Sequence, residues 1–246
     1  MNSFCQLAFL ADISKIYQSD EAALNTAELE TERGESAESV SAKAYRALEK
    51  LIVTLELAPG SVTTERALIE KLSLGRTPVR EAVQRLAWEG LVTVRPRAGL
   101  EIAPLHAGDW LRVLDARRGI EIILARSAAR FSTQEVAGRL QATALAIHDA
   151  VITNDIIGYL EADKSLDEAM ALAADNQFAA RLVAPLQTHS RRFWFRFQSG
   201  TGLAEVAGNH VTLIRAILER DEDAAAAEAD RLMALLRLHA QAAAMR

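Results

Sequence analysis

Two groups of side chains in this 246-residue chain have types and spacings suited to chemistry. The first is G-R-T-P-V-R-E-A-V-Q-R-L-A-W-E-G at 75–90, followed by R-P-R-A-G at 95–99. Val79, Ala82, Val83 and Leu86 fall at i, i+3, i+4 and i+7, the spacing of one packed helical face. Arg76, Thr77, Arg80 and Gln84 lie off that stripe and are left for a partner. Guanidinium groups on a free helix face suit a polyanion, because their planar fork matches phosphate oxygens and the O6/N7 edge of guanine. The second group is Asp163 and Asp167, spaced i, i+4 between Leu160 and Met170, together with His210 inside the stripe Val206, Leu213, Ile214 and Ile217. Two carboxylates in a partly buried stripe repel each other and lose hydration, and a cation between them removes both penalties. That cation is either a divalent metal or an arginine, with His210 then a ligand or a core histidine. Carboxylate-rich donors favour a hard ion such as Mn or Mg. Arg118 and Arg192 are candidates for the anionic end of a ligand, and His189 falls on the apolar side of its helix. The aromatics of S-R-R-F-W-F-R-F at 190–197 are read as core or dimer packing.

The elements that position these groups follow from periodicity and breakers. Leu48, Leu51, Ile52 and Leu55 mark one helix face, and Pro59-Gly60 ends it in a turn. Thr64 is placed to N-cap a short helix to about Leu72, and Ser73–Arg76 is a short Gly-containing connection. Thr77 followed by Pro78 reads as N-cap and first helical residue, and Gly90 as the stop. Two short strands at 91–94 and 100–103 flank the basic loop. Helix, turn, helix and basic hairpin make a winged helix-turn-helix over 37–104. Beyond Pro104, helical segments at about 109–130, 133–153, 156–173, 176–198, 203–219 and 221–243 predict an all-α six-helix bundle over 105–246. The fold is therefore mainly α, in two domains.

Half the residues are apolar and a quarter charged, a soluble globular composition. No apolar run is long enough for a membrane span, the start lacks the basic region of a signal peptide, and a single cysteine excludes a disulfide framework. These features predict a cytoplasmic protein. The net charge is −5, yet it is unevenly spread. Residues 1–36 carry two basic and seven acidic side chains and read as a mobile acidic extension, whereas 37–104 carry ten basic against eight acidic. Salt screens distant charges within about 10 Å, so a local basic face can meet DNA on an acidic protein.

The segments L-E-L-A-P-G, T-E-R-A-L-I-E-K-L, G-R-T-P-V-R-E-A-V-Q-R-L-A-W-E-G-L-V and the R-P-R-A-G wing resemble the GntR family of bacterial repressors. R-R-G-I-E, L-E-A-D-K-S-L-D-E-A-M-A-L-A-A-D-N and G-N-H-V-T-L-I-R-A-I resemble the all-helical FCD effector domain of its FadR-like branch. The resemblance spans roughly 38–243. It implies DNA contacts by Arg66, Arg76, Thr77 and Arg80 and a wing-tip glycine at Gly99, with Arg97 in the wing. The family commonly has Ser where Gly75 stands. The FCD pattern places a metal (Zn, Mn, Ni or Mg) on an Asp, a His four residues later, and two His on later helices. Asp163 and His210 match, Asp167 replaces the first His, Leu236 stands near the last, and His239 is one turn away as a substitute. The resemblance further implies a homodimer on an inverted-repeat operator and a small organic acid as effector. A metal-dependent hydrolase is the rival reading, without H-E-x-x-H, G-x-S-x-G or P-loop motifs to carry it. A helical interaction module with a vestigial DNA domain is another.

Overall fold

The computed structural model describes residues 39–198 and 202–245, so the extension expected at 1–36 lies outside the described residues. Helix α1 (Val40–Val53) starts where the Ser39 side chain accepts from Ala42 N, and it buries Ala44, Leu48 and Ile52. A two-residue strand, β1 (Val62–Thr63), precedes α2 (Glu65–Leu72), whose N-terminus is capped by Thr64 accepting from Ala67 N at 3.1 Å. Ser73, in the left-handed region at φ 54°, turns the chain into α3 (Arg76–Trp88). The N-cap of α3 is Gly75, without a side-chain hydrogen bond, so Thr77 lies inside the first turn rather than capping it as expected. Gly90, at φ +76°, ends the helix, as the sequence requires.

Strands β2 (Val92–Arg95) and β3 (Gly99–Ile102) form the wing hairpin. β1 adds to its other edge, giving an antiparallel sheet of order β1-β3-β2 with Thr63 opposite Leu100. β1 was not anticipated, because two residues carry no alternation to read. Its presence changes the reason for Gly99. At φ +107° a side chain is strained, and a Cβ there would stand 2.5 Å from the Thr63 carbonyl oxygen. The glycine is demanded by β1 as well as by the wing turn.

The rest of the described chain is six helices: α4 (Ala107–Phe131), α5 (Gln134–Thr153), α6 (Ile156–Ala173), α7 (Gln177–Phe197), α8 (Leu203–Leu218) and α9 (Glu222–Ala244). Thr133, Asp155, Asn176 and Asp221 each accept a hydrogen bond from the backbone N–H three residues on, which fixes the breaks at the expected places. The bundle core is built on Trp110, Leu140, Ile147, Leu166, Val211, Ile214 and Ile217. Val53 of α1 belongs to the same apolar cluster, so the end of α1 is packed into the bundle. Among the described residues no helix is long and apolar enough to cross a membrane.

Candidate nucleic-acid interface and ligand cavity

Helix α3 buries Val79, Ala82, Val83 and Leu86 against α1 and β2, which fixes its rotation. That rotation leaves Arg76, Thr77, Arg80 and Gln84 exposed on the opposite side, with Arg97 exposed in the wing. Among the described residues Arg76, Arg80 and Arg97 form no ion pair, whereas Arg66 on α2 is joined to Glu70 at 2.9 Å. Arg85, part of the same basic run, is turned away: it pairs with Glu89 and lies over the Tyr45 ring at 3.6 Å. Three uncompensated guanidiniums on one helix face and its wing are what a phosphate backbone recruits.

The bundle encloses a cavity with about 30 Å³ of free space, room for a water or two. Its charged lining is Arg117, Glu121, Asp163, Asp167, Arg191 and His210. Asp163 and Asp167 project from α6, as their spacing predicts. The cation between them is Arg191 of α7, with Nη1 at 2.5 Å from Asp167 Oδ2 and 3.3 Å from Asp163 Oδ2. Both nitrogens of His210 are engaged: Nε2 is 3.1 Å from Asp163 Oδ1 and Nδ1 is 3.0 Å from the Tyr159 hydroxyl. Arg117 grips Glu121 Oε1 with Nε at 2.9 Å and Nη2 at 2.7 Å, and Gln187 donates to the same oxygen. Trp194 lines the cavity, and its buried indole Nε1–H has no acceptor among the described residues.

Burial by itself raises a carboxyl, yet the hydrogen bond and charge of His210, with Arg191, hold Asp163 well below the usual range. Burial and the adjacent Asp163 charge push Asp167 the other way, up to about 8, against the pull of Arg191. Burial disfavours the Arg191 charge, but Asp167, Asp163 and Glu49 outweigh it and raise its pKa.

As a donor set these residues do not fit a divalent ion. A guanidinium fills the place between the carboxylates, and both imidazole nitrogens are hydrogen-bonded. Leu236 lines the cavity, while His239 is half-buried beside Gly202 and outside it. No group of three or more His, Cys, Asp or Glu side chains among the described residues is arranged to hold a metal.

The three expected ligand residues are also placed elsewhere. Arg118 is exposed and forms a two-pronged pair with Asp230, at 2.5 and 2.8 Å. It is Arg117, one position earlier, that faces inward, and its i, i+4 spacing to Glu121 was the available signal. Arg192 is buried, but Nη2 donates to the Ala103 carbonyl at 2.6 Å, and burial without a carboxylate partner lowers its pKa to about 10. His189 Nε2 lies 2.9 Å from the Glu89 carbonyl oxygen, and burial lowers its pKa. His189 and Arg192, at i, i+3, therefore face the winged helix. Gln187, Arg191 and Trp194, at i, i+4, i+7, face inward.

The seam between winged helix and bundle is polar and buried. Glu49 of α1 pairs with Lys164, accepts from Thr188 Oγ1 at 2.6 Å, and lies 3.8 Å from Arg191 Nη2. Burial raises a carboxyl there, but Lys164 and Arg191 overcome it and lower the pKa of Glu49. Sequence reading missed Glu49, because a single Glu on a helix has no partner until the fold supplies one.

Comparison with known proteins places this geometry. Residues 40–102 match the family described as bacterial regulatory proteins, gntR family, and residues 112–235 match the FCD domain. The chain is 27% identical over 191 residues to the HTH-type transcriptional repressor RspR of Escherichia coli K12, covering 75% of this chain and 82% of that protein. It is 28% identical to the Nta operon transcriptional regulator of Aminobacter aminovorans, covering 71% and 83%. Among solved structures, E. coli McbR/YncC superposes with a TM-score of 0.68 at 18% identity over 80% of this chain and 95% of that one. A GntR regulator from Rhodococcus sp. RHA1 superposes at 0.59 and 18% identity, over 83% and 95%.

Proposed function

Because the chain belongs to the GntR family of bacterial regulatory proteins and carries an FCD domain, we propose that it is a repressor released from its operator by a small organic acid. It is a DNA-binding transcriptional regulator and not an enzyme. The observation that carries the DNA-contact part of this reading is the exposed set Arg76, Arg80 and Arg97, without an ion pair among the described residues, with Thr77 and Gln84 exposed beside them. In this reading α3 enters the major groove, Arg76 and Arg80 reach guanine edges or phosphates, and Arg66, Arg97 and the Gly99 turn meet the backbone.

Operation as a cytoplasmic homodimer on an inverted repeat belongs to the same proposal. Its support is an apolar surface on α4 and α7. Ile123, Phe178 and Leu182 are exposed beside the small buried cluster of Leu124, Ala174 and Val183. The cavity is read as working without a resident metal, Arg191 supplying the positive charge. To move the protein fully between operator-bound and released states, the effector needs about 5 kcal/mol of differential affinity.

Selection from random duplex DNA with the full chain should enrich an inverted repeat. On that duplex, measured by fluorescence anisotropy, Arg76→Ala with Arg80→Ala should weaken binding at least ~30-fold, since each bidentate contact carries about 1–3 kcal/mol. Enrichment of no sequence, or a double variant that binds like the parent, overturns the reading.

A further inference from the structure

The cavity's charges do not suit a simple anion. Its lining holds three carboxylates, Glu121, Asp163 and Asp167, against two guanidiniums, Arg117 and Arg191. Arg117 is committed to Glu121 in a buried pair, so Arg191 is the guanidinium that serves the two aspartates. A plain carboxylate that drew Arg191 away would leave the buried Asp163 and Asp167 with His210, beside Asp163, as their remaining positive partner, a costly arrangement in a protein interior. Trp194, one of the lining residues, also carries an unused donor: its indole Nε1–H is buried and has no acceptor among the described residues. An orphan donor of this kind asks for an acceptor oxygen from outside the chain. The cavity thus has two complementary needs: an acceptor at Trp194, and a compact cation at Asp163 and Asp167 whenever the guanidinium leaves.

Arg191 has a place to go. It is shared by three hollows: the cavity, a space of about 190 Å³ between α1 and α6, and a groove of about 470 Å³ between α1 and α6–α7. Nη1 faces the aspartates, while Nη2 donates to Thr188 Oγ1 at 3.2 Å and lies 3.8 Å from Glu49 of the winged helix. Moving this one side chain outward enlarges the space at the aspartates and brings a second full cation onto Glu49.

We propose that the effector is amino-acid-like, its ammonium replacing the Arg191 guanidinium on Asp163 and Asp167 and its carboxylate accepting from Trp194, while Arg191 transfers to Glu49 of the DNA-binding domain. The proposal rests on the regulator reading above and narrows its organic acid to one that also bears an amine. It makes Arg191 the physical link between ligand and operator: one guanidinium is divided between two carboxylate sites in different domains, and filling one site shifts it to the other.

The test uses purified full-length protein and matched pairs of compounds that differ by the amine: aspartate and succinate, glutamate and glutarate, alanine and propionate, 5-aminovalerate and valerate. A zinc and manganese arm follows EDTA treatment. Thermal shift and calorimetry should show at least one amine-bearing compound binding ten-fold or more tightly than its amine-free counterpart. Asp167→Asn should erase that ratio. Glu49→Gln should still bind the ligand yet lose most of its effect on operator affinity. Equal binding within every pair, no binding by any amine, or binding by a metal ion alone with release of operator overturns the proposal. These outcomes are separable from failure of the regulator reading, which shows as an unliganded protein that selects no DNA.

Discussion

The arginines of the winged helix and those of the bundle are held in opposite ways. Arg76, Arg80 and Arg97 are exposed and unpaired among the described residues, whereas Arg117 and Arg191 are buried and fork onto carboxylates. An exposed guanidinium costs little to leave alone, because water solvates it until a partner arrives. A buried one must be paired inside the molecule, and then it holds the fold together. The same residue type thus serves an external partner in one region and internal structure in the other. Arg192 falls between the two: it is buried, bonded to a backbone carbonyl and, among the described residues, without a carboxylate.

The sharpest way to break this comparison is to delete one charge from each region. Arg191→Leu leaves Asp163, Asp167 and Glu49 short of a cation, and urea denaturation should show a loss of about 3–5 kcal/mol. Arg80→Ala, by contrast, should change folding stability by no more than about 0.5 kcal/mol while weakening DNA binding. Equal stability losses at the two positions erase the distinction.

Backbone strain tests the boundary of the DNA-facing region. Gly99→Ala adds a Cβ against the Thr63 carbonyl at a positive φ, and should destabilise by about 1–3 kcal/mol in a urea titration. A neutral result there means β1 is not held against the wing.

The buried region should also respond to pH where the exposed one does not. Asp167 has a folded pKa raised to about 8, above its unfolded value, so the folded state binds the extra proton. Its contribution is fully present below pH ~4 and is lost as pH rises through about 8. The groups that set this value are Asp163, Arg191, Glu121 and Arg117. Stability of the parent should therefore fall relative to Asp167→Asn over that window, read from urea midpoints at successive pH values. A constant difference between the two proteins removes the assignment.

The smallest expected effect lies at Gly75, where the helix α3 cap has no side-chain bond. Its φ of −66° admits any residue, and an added Cβ meets only the Pro78 ring. Gly75→Ser should raise stability by a few tenths of a kcal/mol and should not lower operator affinity, checked by the same denaturation and anisotropy measurements.

The elements of both domains were legible because their signals are local. Val79, Ala82, Val83 and Leu86 repeat at helical spacing, Thr64, Asp155 and Asp221 cap within three residues, and Gly90 stops a helix by its own backbone freedom. The pairing of Asp163 with Asp167 on one face was legible for the same reason. What sits opposite them was not. Whether Arg191 or Arg192 turns inward depends on the rotation of α7, one residue being about 100° of turn, and that rotation is fixed by contacts with α4, α6 and α1. Glu49 meets Thr188 across 139 positions, and no local pattern encodes a separation of that size. The sequence by itself therefore determined which surfaces were helical, apolar and charged. The tertiary structure decided which charge met which, because ion pairing is a property of positions brought together in space and not of neighbours along the chain.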